Sequence, residues 1–147
     1  MDKISDVSFV VGVTGHRDLA MDNEAAVSEQ IDTFLTELQT ALGPFPVTIA
    51  CGMADGADRL VAHRALKLGI AVQAVLPMPT RYYLSDFSTD SAAELETLLT
   101  HENVSLHEIP LPAETSSVAI SEPGAARDRQ YGLLGDWLFR HSNLMLG

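Results

Sequence analysis

The chain has 147 residues, the length of a single ordinary domain. Its 20 acidic and 9 basic residues give a formal net charge of −11, which disfavours nucleic acid and anionic membranes because both are bound through basic surfaces. Hydrophobic residues make up 46% of the chain and charged residues 20%, so the composition excludes disordered and fibrous proteins. A local basic pocket within this acidic surface can still bind a small anion.

The sequence carries no sign of a membrane, secretory or disulfide-bonded protein. No apolar run reaches the ~18 residues of a membrane span, and residues 1–6 lack the basic region and cleavage site of a secretory signal. Cys51 is the only cysteine, so no intrachain disulfide forms, and its place at the end of an apolar strand predicts an inert buried thiol. The five histidines lack the spacing of metal ligands. We therefore expect a cytoplasmic protein without a metal site.

Strands and helices alternate through the first half of the chain. Residues 8–13 form a β-branched run that predicts a first strand. Apolar residues at helical spacing up to Leu42 then predict a helix, which Asp22 or Asn23 caps at its start. A second strand, a second helix and a third strand are predicted at residues 46–51, 57–68 and 70–76.

The second half continues the alternation after a proline-rich stop. Residues 89–101 predict a helix and residues 104–109 a fourth strand. Residues 110–123 are rich in Pro, Ser and Glu and predict a long, mobile surface loop. A last helix at residues 125–141 leads into a fifth strand at residues 143–146.

Short, nearly continuous apolar strands that alternate with helices are typical of a parallel sheet covered on both faces. The sequence therefore predicts one α/β domain over residues 1–147, Rossmann-like and doubly wound, with a mostly parallel sheet. The fifth strand ends the sequence with nothing to cover it. We expect either a chain truncated after that strand or a homo-oligomer in which a second copy covers it.

Two glycine-containing loops follow the first two strands, and ligands of open parallel sheets bind at the carboxyl ends of strands. The second loop leads into a helix N-terminus, where free backbone N–H groups and the helix dipole favour an anion. Neither loop matches the dinucleotide fingerprint or the P-loop. A tight chain reversal without any ligand is the alternative interpretation of each loop.

Five arginines lie in or beside the predicted post-strand segments. Arginine suits bidentate contacts to phosphate or carboxylate, although each can instead pair with a nearby aspartate at the surface. Asp55 and Asp58 can bind a ribose hydroxyl, or they can serve the start of the second helix. The candidate ligand-binding residues are Gly12, Thr14, Gly15, His16, Arg17, Gly52, Met53, Ala54, Asp55, Gly56, Asp58, Arg59, Arg81, Arg127 and Arg129.

These segments resemble a known superfamily. The sequence C-G-M-A-D-G-A-D at residues 51–58, followed by A-H-R-A-L at residues 62–66 and a strand at residues 71–76, resembles the core of the DNA-processing protein DprA/Smf. V-G-V-T-G-H-R at residues 11–17 resembles the T-G-H-R start of uncharacterised bacterial proteins of the same superfamily. R-D-R at residues 127–129 is similar to the family's R-N-R. Together these motifs resemble the DprA/Smf–LOG (SLOG) superfamily of Rossmann-like domains.

The resemblance implies binding of a nucleotide or a nucleotide-derived ligand, often as a sensor, and self-association. The LOG branch removes the base from cytokinin nucleotides as a phosphoribohydrolase, and DprA binds single-stranded DNA. This chain lacks the P-G-G-x-G-T-x-x-E motif of the LOG enzymes, and Asp128 replaces the Asn of R-N-R. Its excess of acidic over basic residues also differs from the basic surface with which proteins bind DNA.

Four functions therefore remain open from the sequence. The leading interpretation is a sensor or accessory domain that holds a nucleotide-like phosphate between the two glycine loops. The alternatives are a LOG-like nucleotide N-glycosidase, a DprA-like single-stranded DNA binder and a purely structural α/β module. A Glu-containing glycine loop beyond Gly147 in a longer protein would favour the glycosidase. No acid–base constellation stands out, so no catalytic residue or cofactor is assigned.

We predict that the protein does not bind DNA, because a net charge of −11 opposes the phosphate contacts on which non-specific affinity depends. Fluorescence anisotropy with a labelled single-stranded oligonucleotide at about 0.15 M salt, near physiological ionic strength, tests this. We expect no saturation, and saturable binding in the low micromolar range would contradict the prediction.

Overall fold

A computed structural model of the chain describes residues 7–15 and 23–147, and five parallel strands form one sheet within them. The spatial order is β4-β3-β2-β1-β5, and every neighbouring pair is parallel. The predicted Rossmann-like, doubly wound α/β fold is confirmed. The strands are β1 (Phe9–Val13), β2 (Val47–Cys51), β3 (Ala71–Leu76), β4 (Val104–Glu108) and β5 (Leu144–Leu146).

Helices connect the strands, and the four longest ones were predicted from the sequence. In the described chain no helix is long and apolar enough to cross a membrane. A 3₁₀ turn at Leu84–Asp86 follows the third helix. The helices are α1 (Glu24–Leu42), α2 (Ala57–Lys67), α3 (Thr80–Tyr83), α4 (Thr89–Leu99), α5 (Ser117–Ser121) and α6 (Ala125–His141).

The loop prediction for residues 110–123 was partly wrong, because this segment contains the short helix α5. The Ser116 side chain accepts a hydrogen bond from the backbone N–H of Ala119 at 3.1 Å and caps the helix start. Ile120 is fully buried in the cluster of apolar side chains that is described below as the main hydrophobic core. Burial of this one apolar side chain ties the segment to the domain.

Helices α1, α2 and α4 cover one face of the sheet. Val11, Ile49 and Val72 are register partners across β1, β2 and β3, so their side chains lie side by side on that face. They form one buried cluster with Leu35 of α1 and Leu95 of α4. This cluster is the main hydrophobic core.

Helix α6 covers the opposite face. Its Leu134 and Leu138 pack with Ala50, Val75 and Ile109 in a second, smaller buried cluster. Alternate residues of a strand point to opposite faces, so β2 and β3 contribute to both clusters. The central strands β2 and β3 are therefore covered on both sides, as their continuous apolar sequences predict.

The order in which successive strands are added to the sheet reverses at β1. Strands β2, β3 and β4 are added on one side of β1, and β5 returns to pair with its other side. A Cβ atom on Gly12 would lie 2.3 Å from Ser142 Oγ and 2.6 Å from Met145 Sδ, so glycine leaves room for these two side chains in their present positions. The junction of β1 and β5 is the topological switch, beside which ligands of open α/β sheets bind.

We predict that Leu35→Ala lowers the free energy of unfolding by about 2–5 kcal/mol, because truncation leaves a cavity under a fully buried position. Phe139→Ala removes a larger side chain that is 74% exposed and should change stability by no more than about 0.5 kcal/mol. Urea unfolding of both variants checks the pair. Equal losses would contradict the assignment of the core.

Candidate functional site

The carboxyl edge of the sheet brings the two predicted glycine loops together. A Cβ atom on Gly15, two residues after β1, would lie 2.5 Å from the Cβ of Ala57, the first residue of α2. The Thr14 N–H also donates to the Leu146 carbonyl at 3.0 Å, which joins the ends of β1 and β5. The described start of the loop after β1, at Gly15, therefore lies against the N-terminus of α2.

The segment between β2 and α2, residues 52–56, is called loop two. Met53 has a φ of 58°, a left-handed conformation that a residue with a side chain rarely adopts. Gly56 has a φ of 86° and occupies the N-cap position of α2, where no side chain caps the helix. Asp55 is therefore not the helix cap, because the cap position needs the backbone freedom of glycine.

Three successive residues of loop two are held from inside the protein. The Tyr83 hydroxyl donates to the Gly52 carbonyl at 2.8 Å, and Arg59 Nε donates to the Met53 carbonyl at 2.9 Å. The Ala54 N–H donates to Asp58 Oδ2 at 3.3 Å. Because Tyr83 and Arg59 are buried, both carbonyl oxygens point inward.

Arg59 is 97% buried rather than exposed to a ligand cavity, since only 3% of its surface is accessible. Its Nη1 donates to the Ser91 carbonyl at 2.8 Å, to Ser91 Oγ at 2.9 Å and to Glu94 Oε1 at 2.8 Å. The guanidinium carbon lies 4.8 Å from the centre of the Phe87 ring. These contacts fasten loop two to the first turns of α4.

Asp55 and Glu94 complete this network at the rim of loop two. Ser91 Oγ donates to Asp55 Oδ1, which also lies 3.4 Å from Arg59 Nη1. His63 Nε2 lies 3.1 Å from Glu94 Oε2, so this half-exposed histidine pairs with a carboxylate. Burial alone would raise the pKa of Glu94, but hydrogen bonds from Arg59 and His63 outweigh it and lower that pKa.

Arg81, Arg127 and Arg129, the other predicted arginines among the described residues, make their contacts away from loop two. Arg127 is buried and donates to Asp86 Oδ1 and to the Ile120 carbonyl, both at 2.7 Å. Arg129 is half-exposed and donates to Thr115 Oγ1. Arg81 is exposed, with its guanidinium carbon 4.5 Å from the centre of the Tyr82 ring.

Several other predicted site residues have a packing environment. A Cβ on Gly52 would lie 2.9 Å from a methyl group of Leu134, so this glycine permits contact with α6. Met53 is fully buried in the main core, and Asp58 is 7% exposed. His16 and Arg17 lie outside the described residues, so their predicted ligand contacts stay predictions.

Cys51 is fully buried at the end of β2, as the sequence predicts. Burial raises the pKa of its thiol, and the nearby Asp58 carboxylate raises it further. The described residues contain no group of His, Cys, Asp and Glu side chains that could hold a metal ion.

Sequence reasoning missed the residues that support loop two. Tyr83, Ser91 and Glu94 contact it, or contact Arg59, from positions at least 31 residues away in sequence. Sequence reasoning also missed Gln130, which does not contact loop two: its buried amide donates to the Pro77 carbonyl after β3 at 2.9 Å. No local pattern marks such residues, and only the folded topology brings them together.

We predict that Glu94→Gln reduces the acid sensitivity of the fold. A lowered pKa means that ionised Glu94 stabilises the fold above its ordinary pKa of 4.5, and this contribution is lost as the pH falls below that value. Its half-exposed side chain limits the loss at neutral pH to about 1 kcal/mol or less. Urea unfolding at several pH values between neutral and acid measures the effect.

Glu96→Gln is the matched control, since Glu96 is exposed on the same helix and none of the ion pairs found among the described residues involves it. We expect its pH profile to follow that of the wild type. If the free energy of unfolding of Glu94→Gln fell at acid pH as much as that of the wild type, the assigned role of Glu94 would be contradicted.

Neither a protein-family model nor a curated protein matches the chain. The likeness to the SLOG superfamily therefore rests on the sequence motifs alone.

Proposed function

We propose that this domain binds a nucleotide or a nucleotide-derived phosphate ligand, as a sensor or accessory domain, between the loop after β1 and loop two. One observation carries the proposal: Gly15 lies against Ala57 at the N-terminus of α2. This contact places two post-strand loops together beside the topological switch of the sheet. Ligands of open α/β sheets bind at that position.

The α2 N-terminus supplies the attraction for phosphate. The first backbone N–H groups of a helix have no partner within the helix, and no side chain caps those of α2. They carry partial positive charge from the helix dipole. The inward carbonyls of Gly52 and Met53 remove two negative dipole ends from the surface that an anion would approach.

The carboxylate at the loop rim favours a nucleotide over inorganic phosphate. The Asp55 side chain is 41% exposed and sits one residue before the N-cap of α2. A carboxylate repels phosphate but accepts hydrogen bonds from sugar hydroxyls. A ligand with a phosphate at the helix start and a ribose near Asp55 satisfies both groups.

Arg17 is proposed as the charge-assisted donor to the phosphate, on the sequence alone. We predict that wild-type protein binds at least one of AMP, ADP-ribose and NAD in calorimetric titrations. Arg17→Ala should then weaken binding by about 10- to 150-fold, because a hydrogen bond to a charged group contributes roughly 1.5–3 kcal/mol. Unfolding curves should show that the fold is intact.

Arg140→Ala is the matched control, because Arg140 is exposed near the C-terminus of α6, at the opposite edge of the sheet. Its affinity should equal that of the wild type. Gly15→Val, whose Cβ would collide with Ala57, should also weaken binding. Failure of all three ligands to bind would reject the proposal in favour of a structural module, and release of free adenine from AMP would favour the N-glycosidase.

A further inference from the structure

We propose that Arg59 is a positioning residue of the nucleotide site: it holds loop two in its binding conformation and anchors that conformation to α4. The inference rests on the proposed function, which it deepens by adding α4 to the elements that determine affinity. The sequence places Arg59 among the ligand contacts. Its geometry supports a role through the Met53 carbonyl instead.

The end of Arg59 that faces loop two acts at the most unusual backbone position of the loop. Arg59 Nε donates to the carbonyl of Met53, whose φ of 58° is unfavourable for a residue with a side chain. A conformation of this kind persists only where surrounding contacts impose it. The hydrogen bond from Arg59 and the burial of the Met53 side chain are two such contacts.

The other end of Arg59 is fixed on α4. Nη1 is within hydrogen-bond distance of the Ser91 carbonyl, Ser91 Oγ and Glu94 Oε1, and the guanidinium lies over the Phe87 ring. Nη2 is buried as well, without a hydrogen-bond partner among the described residues. The guanidinium is therefore enclosed by protein, and a ligand can sense it only through the loop that it holds.

The planar guanidinium is required because two elements must be joined at once. Nε contacts loop two while Nη1 contacts α4, and the rigid plane fixes the distance between these partners. A lysine carries the same charge on a single nitrogen and cannot reproduce both contacts. Arg59→Lys therefore keeps the positive charge and removes the bridge between loop two and α4.

The test combines AMP titration by calorimetry with hydrogen exchange of the backbone amides of residues 52–56. We expect Arg59→Lys to weaken AMP binding by about tenfold or more, the effect of losing one charged hydrogen bond. Exchange should become faster in loop two and stay unchanged in β1, β2 and β3. Glu94→Ala should show the same pattern to a smaller degree, and Glu94→Gln, which keeps an oxygen acceptor, should recover most of the affinity.

Arg64→Lys is the matched control. Arg64 lies on the same helix and makes a bidentate pair with Asp32 of α1, at 2.9 and 2.6 Å, away from loop two. Its variant should lose stability without losing AMP affinity or loop protection. If Arg59→Lys fails to fold, Glu94→Ala against Glu96→Ala decides the question with the same two measurements.

The proposal would be overturned if Arg59→Lys bound AMP as tightly as the wild type and its amides in residues 52–56 exchanged at the wild-type rate. If the wild type binds no nucleotide, the proposed function fails. The amide exchange rates of residues 52–56 then decide whether Arg59 holds loop two. Faster exchange confined to residues 52–56 would support its hold on the loop, and unchanged exchange would reject it.

Discussion

The architecture of the candidate site depends on hydrogen bonds that turn the backbone of loop two inward. A loop that is to attract an anion must keep its carbonyl oxygens away from the ligand, since each carries partial negative charge. Tyr83 and Arg59 achieve this for Gly52 and Met53. Both donors are buried, so water does not compete for these bonds and they hold more firmly than surface contacts would.

The sheet topology gives this loop its importance. Strand order reverses at β1, and ligands of open α/β sheets bind at the carboxyl edge beside such a reversal. Loop two follows the neighbouring strand, β2, and its helix begins where Gly15 lies. The two helical layers then act differently: α2 and α4 support the loop through Arg59, whereas Leu134 of α6 packs beneath Gly52.

The sequence predicts the elements because their signals are local. The bounds of α6, residues 125–141, agree between sequence and structure, since apolar residues at helical spacing from Tyr131 to Leu138 indicate a helix. Helix α5 was missed because its composition is that of a loop, and two of its ordering contacts, the burial of Ile120 and the hydrogen bond from Arg127 to the Ile120 carbonyl, come from the fold. The glycine loops were located because parallel topology places them at one edge. Tyr83 and Glu94 could not be located, because their partners lie 31 and 35 residues away in sequence.

The close packing at Gly12 means that substitutions there and near the C-terminus constrain one another in evolution. The Cβ that this residue lacks would overlap Ser142 and Met145, so positions 12, 142 and 145 share one small volume. A homologue with alanine or a larger residue at position 12 needs other rotamers or smaller side chains at the other two positions, or a wider separation of β1 and β5. These three positions should therefore covary, and a lineage that crosses from one combination to another should do so through compensating substitutions.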